Sequence, residues 1–399
     1  MKILQINKFF YLKGGAEKYL QSLWKLLARH GHDNLVFSQT NPANWPNGQE
    51  KYFLPNLELG RFSWRGLFSL GRIFWSLAAQ KKIRRLLAAE QPDIVHLHNI
   101  YHQISPSILP VIKQTGQPIV MTVHDFKLVK YDYRIWANGR HQLVKNSLLA
   151  DLLLRLEFSL HRFLKVYQKN IDVFIAPSEF VKNILISSGL AAEKIKIIPH
   201  FIDLKNYPAN PLPAENYLLF FGRLDEAKGI ATLIKAFSQL NNQSLKLKIV
   251  GAGPELTKLQ KLTAQLSLSD RVKFVGQKTD SELIDIISRS LLVIVPSLWQ
   301  ETFGLVVLES YASYKPVVAS RVGALSELII EGQTGQTFKP GDSQELAKIL
   351  EQLTNQPEQL KLMGANARKV AEQYSPEKHY HKLMSLYQEL INKNEVKIK

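Results

Sequence analysis

Two glutamates, Glu301 and Glu309, bracket a Phe-Gly pair and an apolar run in "PSLWQETFGLVVLES", Pro296–Ser310. A carboxylate accepts hydrogen bonds from hydroxyls, and two at this spacing suit a ligand with two sets of them, such as a sugar and a ribose. Glu309 follows Leu305, Val306, Val307 and Leu308, a setting in which an unpartnered charge is costly. A helix beginning near Phe303 and Gly304 would offer free backbone amides to an anion. Upstream, "FFGRLDEAKGI" (Phe220–Ile230) places Arg223 and Lys228 in a loop that opens a helix. A guanidinium grips phosphate bidentately and an ammonium acts as a point charge, so this loop fits a diphosphate. "LKIVGAGPE" with Gly251 and "VKFVGQK" with Gly276 are two further strand-then-glycine units that would line the same end of a sheet.

The first half has its own candidates. "QINKFFYLKGGAEKYL" sets Gly14 and Gly15 between a strand and a helix, where bare backbone can approach a phosphate. The spacing is not G-x-G-x-x-G, so a dinucleotide fingerprint is absent. "TVHDF" puts His124 and Asp125 at another strand end. His96 and His98 in "HLHN" share one strand face, but no third ligand of matching spacing completes a metal site.

These residues need a scaffold that brings strand ends together. "KILQIN", "NLVFS", "DIVHLH", "PIVMTV" and "VFIAPS" read as buried strands in the first half; "YLLFFG", "LKIVG", "VKFVG", "LLVIVPS" and "PVVAS" do so in the second. Amphipathic segments such as 231–240 and 281–288 lie between them. The alternation predicts an α/β protein with two doubly wound parallel sheets. The proline-rich stretch "IIPHFIDLKNYPANPLPAENY" separates them. The expected domains are 1–200, 201–375 and a last helix, 376–399, expected to pack back on the first domain. Ligands of such sheets bind at the carboxyl ends of the strands.

A chain of 399 residues, 45% hydrophobic, is long enough for two cores. It has no cysteine, hence no disulfide framework and no thiolate metal site. The start lacks a sustained apolar region and no stretch is apolar enough to span a bilayer. The net charge of +17 is uneven: residues 1–200 hold 27 Lys and Arg against 13 Asp and Glu, while residues 201–399 hold 24 against 21. A basic first half points to a polyanionic substrate or surface. Gly60–Arg85 and Leu148–Lys169 interleave apolar and basic residues, a pattern that fits an anionic membrane surface. The apolar faces of these stretches are expected to cover the first sheet. No nucleic-acid motif occurs, so nucleic acid is not an expected partner.

"GRLDEAKG", followed about seventy residues later by "ETFGLVVLE", resembles the retaining glycosyltransferases of family 4, which have the GT-B fold. Glu301 and Glu309 match that family's E-x7-E signature, and the likeness extends to the Gly-Gly loop, "TVHDF" and "APSEFVK". The resemblance implies two Rossmann-like domains facing across a cleft, the first binding the acceptor and the second the nucleotide-sugar donor. It implies that Arg223 and Lys228 hold the donor diphosphate, with amides near Phe303, Gly304 and Leu305. Glu301 would contact the donor sugar, Glu309 the ribose, and Gly14 and Gly15 the phosphates. His124 would sit at the reacting sugar, with Asp125 beside it. The reaction would be metal-independent hexosyl transfer with retention to a lipid-linked or polysaccharide acceptor, in cell-envelope polysaccharide synthesis, at the cytoplasmic face of a membrane. No cofactor is implied. Alternative readings are a GT-B-fold nucleotide-sugar epimerase and a noncatalytic membrane-associated binding protein. Many relatives carry Asn after the "IIP" strand, where this chain has His200.

Overall fold

The computed structural model describes residues 1–56, 71–139 and 148–398. Among them are two six-stranded sheets, parallel throughout. The first holds β1 (Lys2–Ile6), β2 (Asp33–Phe37), β3 (Ile94–Leu97), β4 (Ile119–Thr122), β5 (Val173–Ala176) and β6 (Ile195–Ile197). Its order is β2-β1-β3-β4-β5-β6. The second holds β7 (Tyr217–Phe221), β8 (Lys246–Val250), β9 (Val272–Gly276), β10 (Val293–Val295), β11 (Val317–Ser320) and β12 (Gly335–Phe338), in the order β12-β11-β10-β7-β8-β9. In each sheet the chain winds one way from a central strand and then the other. This is the doubly wound Rossmann pattern, with a switch point between β1 and β3 and another between β7 and β10. The strands β6 and β12 have no counterpart among the ten runs read as strands, because "IKI" is only three residues with a lysine at its centre and "GQTF" lacks an apolar run.

One compact unit holds described residues 1–56, 71–134, 148–199 and 379–398; the other holds 135–139 and 200–378. The chain therefore changes unit not only near residue 200 but also at the short segment 135–139 and at residue 379, where the last helix belongs to the first unit.

In the second unit, alternation along β7 divides the core into two layers. Leu218 and Phe220 pack with the helices Ile230–Phe237 and Ser343–Thr354, while Tyr217, Leu219 and Phe221 pack with Leu305–Ala312 and Leu325–Leu328. Local chemistry starts the helices. Asp342 accepts from the amides of Gln344 and Glu345, Thr279 and Glu282 form a capping box, and Ser178 and Ser76 cap helices of the first unit.

Residues 60–70 of the basic aromatic stretch lie outside the described residues. Beyond them, the helix Leu77–Glu90 buries Ala79, Ile83, Leu86 and Leu87, as a sheet-covering helix should. The helix Leu148–Phe163 departs from that expectation: it buries Asp151, Glu157 and His161 and exposes leucines. No helix among the described residues is long and apolar enough to cross a membrane.

The helix Pro376–Ile398 is held to the first unit by buried polar bonds. His379 Nδ1 donates to the Pro199 carbonyl at 2.7 Å, and its Nε2 lies 3.1 Å from the Tyr19 hydroxyl. The Tyr387 hydroxyl is 2.6 Å from His96 Nδ1, and His96 Nε2 is 2.7 Å from Thr122 Oγ1. Burial lowers the pKa of both histidines, that of His379 to about 4. Between about pH 6.5 and 4 the unfolded chain binds a proton that the folded helix refuses, so stability is full above 6.5 and falls on acidification. His379 alone gives up about 2 kcal/mol by pH 5. Protection factors for amide exchange along Pro376–Ile398, which already correct for the slower intrinsic rate at low pH, should fall between pH 7 and pH 5, and less so in His379→Gln. Protection independent of pH would contradict this account.

Candidate active site

In the second unit, the loops that leave β7 and β10 meet at the switch point. After β7, Asp225 Oδ1 accepts from the Ala227 amide at 3.1 Å and turns the chain into the 3-10 segment Glu226–Lys228. Gly229 ends it in the left-handed region (φ +66°), and a Cβ there would lie 1.8 Å from the Pro296 carbonyl oxygen. Only glycine allows that approach. The Leu298 amide donates to Ala227 O at 2.8 Å and locks the two loops together.

This contact delivers Lys228 to Glu301. Lys228 Nζ is 2.7 Å from Glu301 Oε1, which also accepts from Ser297 Oγ at 2.7 Å and Trp299 Nε1 at 2.9 Å. All three bonds fall on one carboxylate oxygen. Burial works to raise the Glu301 pKa, but Lys228, Ser297 and Trp299 outweigh it and hold the group below the ordinary carboxylate value. It is ionised at neutral pH and therefore an acceptor, not a proton donor.

Two devices fix the Glu301 backbone. Gly323, at φ +50°, packs where a Cβ would fall 2.3 Å from Glu301 O, and the Ala324 amide donates to that oxygen at 3.0 Å. The segment at 135–139 pairs with the loop before it: Ala137 N donates to Leu298 O at 2.9 Å and Gln300 N to Ile135 O at 2.7 Å. Ser297 and Trp299 stand in the quoted motif, yet their spacing gave no sign of convergence on Glu301. Gly323 and Trp136, which bridges Trp299, carried no sequence signal either.

The helix Leu305–Ala312 follows, with Gly304 before it at φ +103°. A Cβ on Gly304 would come within 2.6 Å of Leu325 Cδ2. Among the described residues the Phe303 and Gly304 amides donate no hydrogen bond, and Leu305, as the first helical residue, has no intrahelical acceptor. The Phe303 ring itself is core, against His200 at 5.0 Å and Tyr374 at 5.9 Å between centroids. What this stretch can offer a ligand is backbone. Glu309 is buried on the inner face of the helix. Its charge, after burial, contributes to the raised pKa of Tyr207.

Arg223 stands at the end of β7 with its side chain 59% exposed and Asp225 3.9 Å away. Gly251 (φ +134°) lets the Gly222 carbonyl come within 1.9 Å of where a Cβ would be, and its amide donates to Gly276 O at 2.8 Å. Gly222, Gly251 and Gly276 thus lie at three adjacent strand ends.

In the first unit, His124 Nε2 lies 3.0 Å from His98 Nδ1, and His98 Nε2 lies 2.8 Å from Gln5 Oε1. With Gln5 accepting, His124 is the donor in the pair. Burial lowers the His124 pKa to about 3, so the ring is neutral at physiological pH. Asp125 accepts from the Tyr101 hydroxyl and, through Oδ1, from the Lys127 amide at 3.0 Å. Lys8 stacks on Tyr101, 3.6 Å from the ring centroid, and burial brings its pKa down to about 8. Gly14 precedes the helix Gly15–Arg29 with extended backbone, and Glu17 in its first turn is buried and accepts from Asn7 Nδ2 at 3.2 Å.

Residues 206–370 match the family "Glycosyl transferases group 1" and residues 13–206 match "Glycosyltransferase Family 4". An uncharacterised 42.6 kDa protein in the cps region of Klebsiella pneumoniae is 29% identical over 346 residues, 82% of this chain and 87% of that protein. The MMP α-(1→4)-mannosyltransferase of Mycolicibacterium hassiacum is 25% identical over 386 residues, 90% of each chain. Among solved structures, Anabaena HepE in complex with UDP has the same fold, with a TM-score of 0.70 at 21% identity over 98% of this chain and 100% of that one. With two family models spanning residues 13–370 between them and relatives matched along most of the chain, this protein belongs to the group 1, family 4 glycosyltransferases of GT-B fold.

Proposed function

We propose that the enzyme is a retaining, metal-independent hexosyltransferase. In this reading it moves a sugar from a nucleotide-diphospho-sugar to a hydroxyl of a lipid-linked or polysaccharide acceptor. The observation that carries the reading is the meeting of Lys228 and Glu301 at the switch point of the second sheet, beside a helix start with open amides. Lys228, Arg223 and the amides of Phe303, Gly304 and Leu305 take the diphosphate. Fixed cations and dipoles stabilise the charge that grows on the leaving group, a role a metal would otherwise fill. Glu301, held ionised, accepts hydroxyls of the donor sugar. Glu309 accepts the ribose hydroxyls, and the strand ends at Gly251 and Gly276 border the base.

His124 is assigned to the reacting sugar as a neutral hydrogen-bonding group, Asp125 to the shape of the loop that carries it, and Gly14 and Gly15 to the donor phosphates. The acceptor hydroxyl attacks the anomeric carbon on the face the diphosphate leaves, its proton passes to a diphosphate oxygen, and configuration is retained without a covalent intermediate. The UDP in the HepE complex supports a nucleoside diphosphate as the leaving group, and we assign the product to cell-envelope polysaccharide. Such work belongs at the cytoplasmic face of a membrane.

Calorimetric titration with UDP, GDP, ADP and CMP in the presence of EDTA tests the donor site. One nucleoside diphosphate should bind, and Glu309→Ala should weaken it by about 10- to 100-fold, the worth of a lost pair of charge-assisted bonds. Absence of binding by all four, or equal binding by the variant, contradicts the assignment.

A further inference from the structure

The helix Leu148–Phe163 is built inside out. The residues it buries are Asp151, Glu157 and His161, whereas a helix on a soluble surface normally turns its apolar stripe inward. Its outward residues are Leu148 (75% exposed), Leu149, Leu152, Leu156, Leu160 and Phe163 (84%). At about 100° per residue these six fall within an arc of roughly 120°.

The inward polar groups hold this orientation. Glu157 Oε2 accepts from Lys127 Nζ at 2.8 Å and lies 3.2 Å from His102 Nδ1. The His161 Nε2 bonds the Phe74 carbonyl at 2.7 Å, and Asp151 accepts from the Tyr131 hydroxyl at 3.0 Å. Rolling the leucines inward would break these bonds and leave buried charge unpaired, which costs more than apolar burial returns. The outward face is thus fixed by the body of the unit.

Cations rim the stripe. Arg155 and Arg162 fall on one border of the arc, and Lys165 and Lys169 continue past the end of the helix, all exposed. They lie in the half of the chain that holds 27 Lys and Arg against 13 Asp and Glu. A two-fold dimer through this stripe would bring like-charged rims together. An apolar strip edged by cations complements the acyl boundary and phosphates of an anionic bilayer.

We propose that the outward face of Leu148–Phe163 is a membrane-docking surface. Its leucines and Phe163 enter the headgroup boundary of an anionic leaflet, and Arg162, Lys165 and Lys169 lie over lipid phosphates. The inference stands apart from the donor site and does not depend on the transfer reaction.

Co-sedimentation compares phosphatidylcholine vesicles with vesicles containing about 30% phosphatidylglycerol. The full chain should bind the anionic vesicles and bind them less at high salt. Leu152→Asp with Leu156→Asp should cut the lipid affinity at least about tenfold, with an unchanged circular dichroism melt, because both positions are solvent-facing. Arg162→Glu with Lys165→Glu should weaken binding to anionic vesicles alone and flatten the salt dependence. Failure of the wild type to bind anionic vesicles overturns the proposal. So does wild-type affinity in both double variants, or a wild-type dimer that the Leu152 and Leu156 changes dissociate while no vesicles are bound, which would make the face a self-association surface. Loss of vesicle binding in the charge variant without loss in the leucine variant also overturns it.

Discussion

Replacing Glu301 with glutamine should lower kcat by about 10²- to 10³-fold, the range seen when one fixed transition-state contact is removed. Glutamine fills the same space, so the helix start and the loop at Pro296–Thr302 should keep their shape. It loses the charge that Lys228, Ser297 and Trp299 converge upon, and with it the anionic acceptor that the proposed function assigns to the sugar hydroxyls. Binding of the bare nucleoside diphosphate should behave differently. Lys228 is released from its 2.7 Å partner and becomes a freer cation for phosphate. Affinity for the diphosphate should therefore hold or tighten while turnover collapses. Steady-state transfer assays and calorimetry on one preparation check both halves. Wild-type turnover would remove Glu301 from the reaction; weakened diphosphate binding would mean that it supports the phosphate site instead. Lys228→Ala is the complement and should weaken diphosphate binding and lower kcat together.

Gly229→Ala should be the most damaging single-carbon addition to the site. The residue sits at φ +66°, which costs a side chain about 1–2 kcal/mol in itself. The added carbon would also lie 1.8 Å from the Pro296 carbonyl oxygen, a position no rotamer relieves because both atoms belong to backbone. The turn Glu226–Lys228 must move away from the β10 loop, and the bond from Leu298 N to Ala227 O and the Lys228–Glu301 pair go with it. We expect a loss of about 3 kcal/mol or more in the second unit and at least tenfold weaker diphosphate binding. Gly276→Ala is the control: its φ is +77°, but open space surrounds the missing Cβ, so it should lose only the conformational cost. Equal destabilisation by the two substitutions would show that backbone strain alone, not the contact with Pro296, sets the price of Gly229.

Ten strands of the two sheets were legible because each is a short apolar run between turn residues. So was the chemistry of single loops: Arg223 and Lys228 in a loop after a strand, a helix start near Gly304, an acid buried at Glu309. These properties depend on residues within one or two turns of each other, where capping, periodicity and backbone preference act. The amino-acid sequence thereby determined the fold class, the family motifs and the identity of the donor-site candidates.

Tertiary structure decided which groups meet. Lys228 and Glu301 are 73 residues apart and touch because β7 and β10 are neighbours at a switch point. Ser297 and Trp299 look like ordinary loop residues until the loop folds onto one carboxylate oxygen. The segment at 135–139 leaves its own half to pair with Leu298 and Gln300, and no composition shift marks it. The sharpest case is Leu148–Phe163, whose periodicity defines a helix with an apolar face but not the direction that face takes. Lys127, His102 and Phe74 settle that by satisfying Glu157 and His161 inside the unit. A buried charge must find its partners, and those partners come from distant parts of the chain.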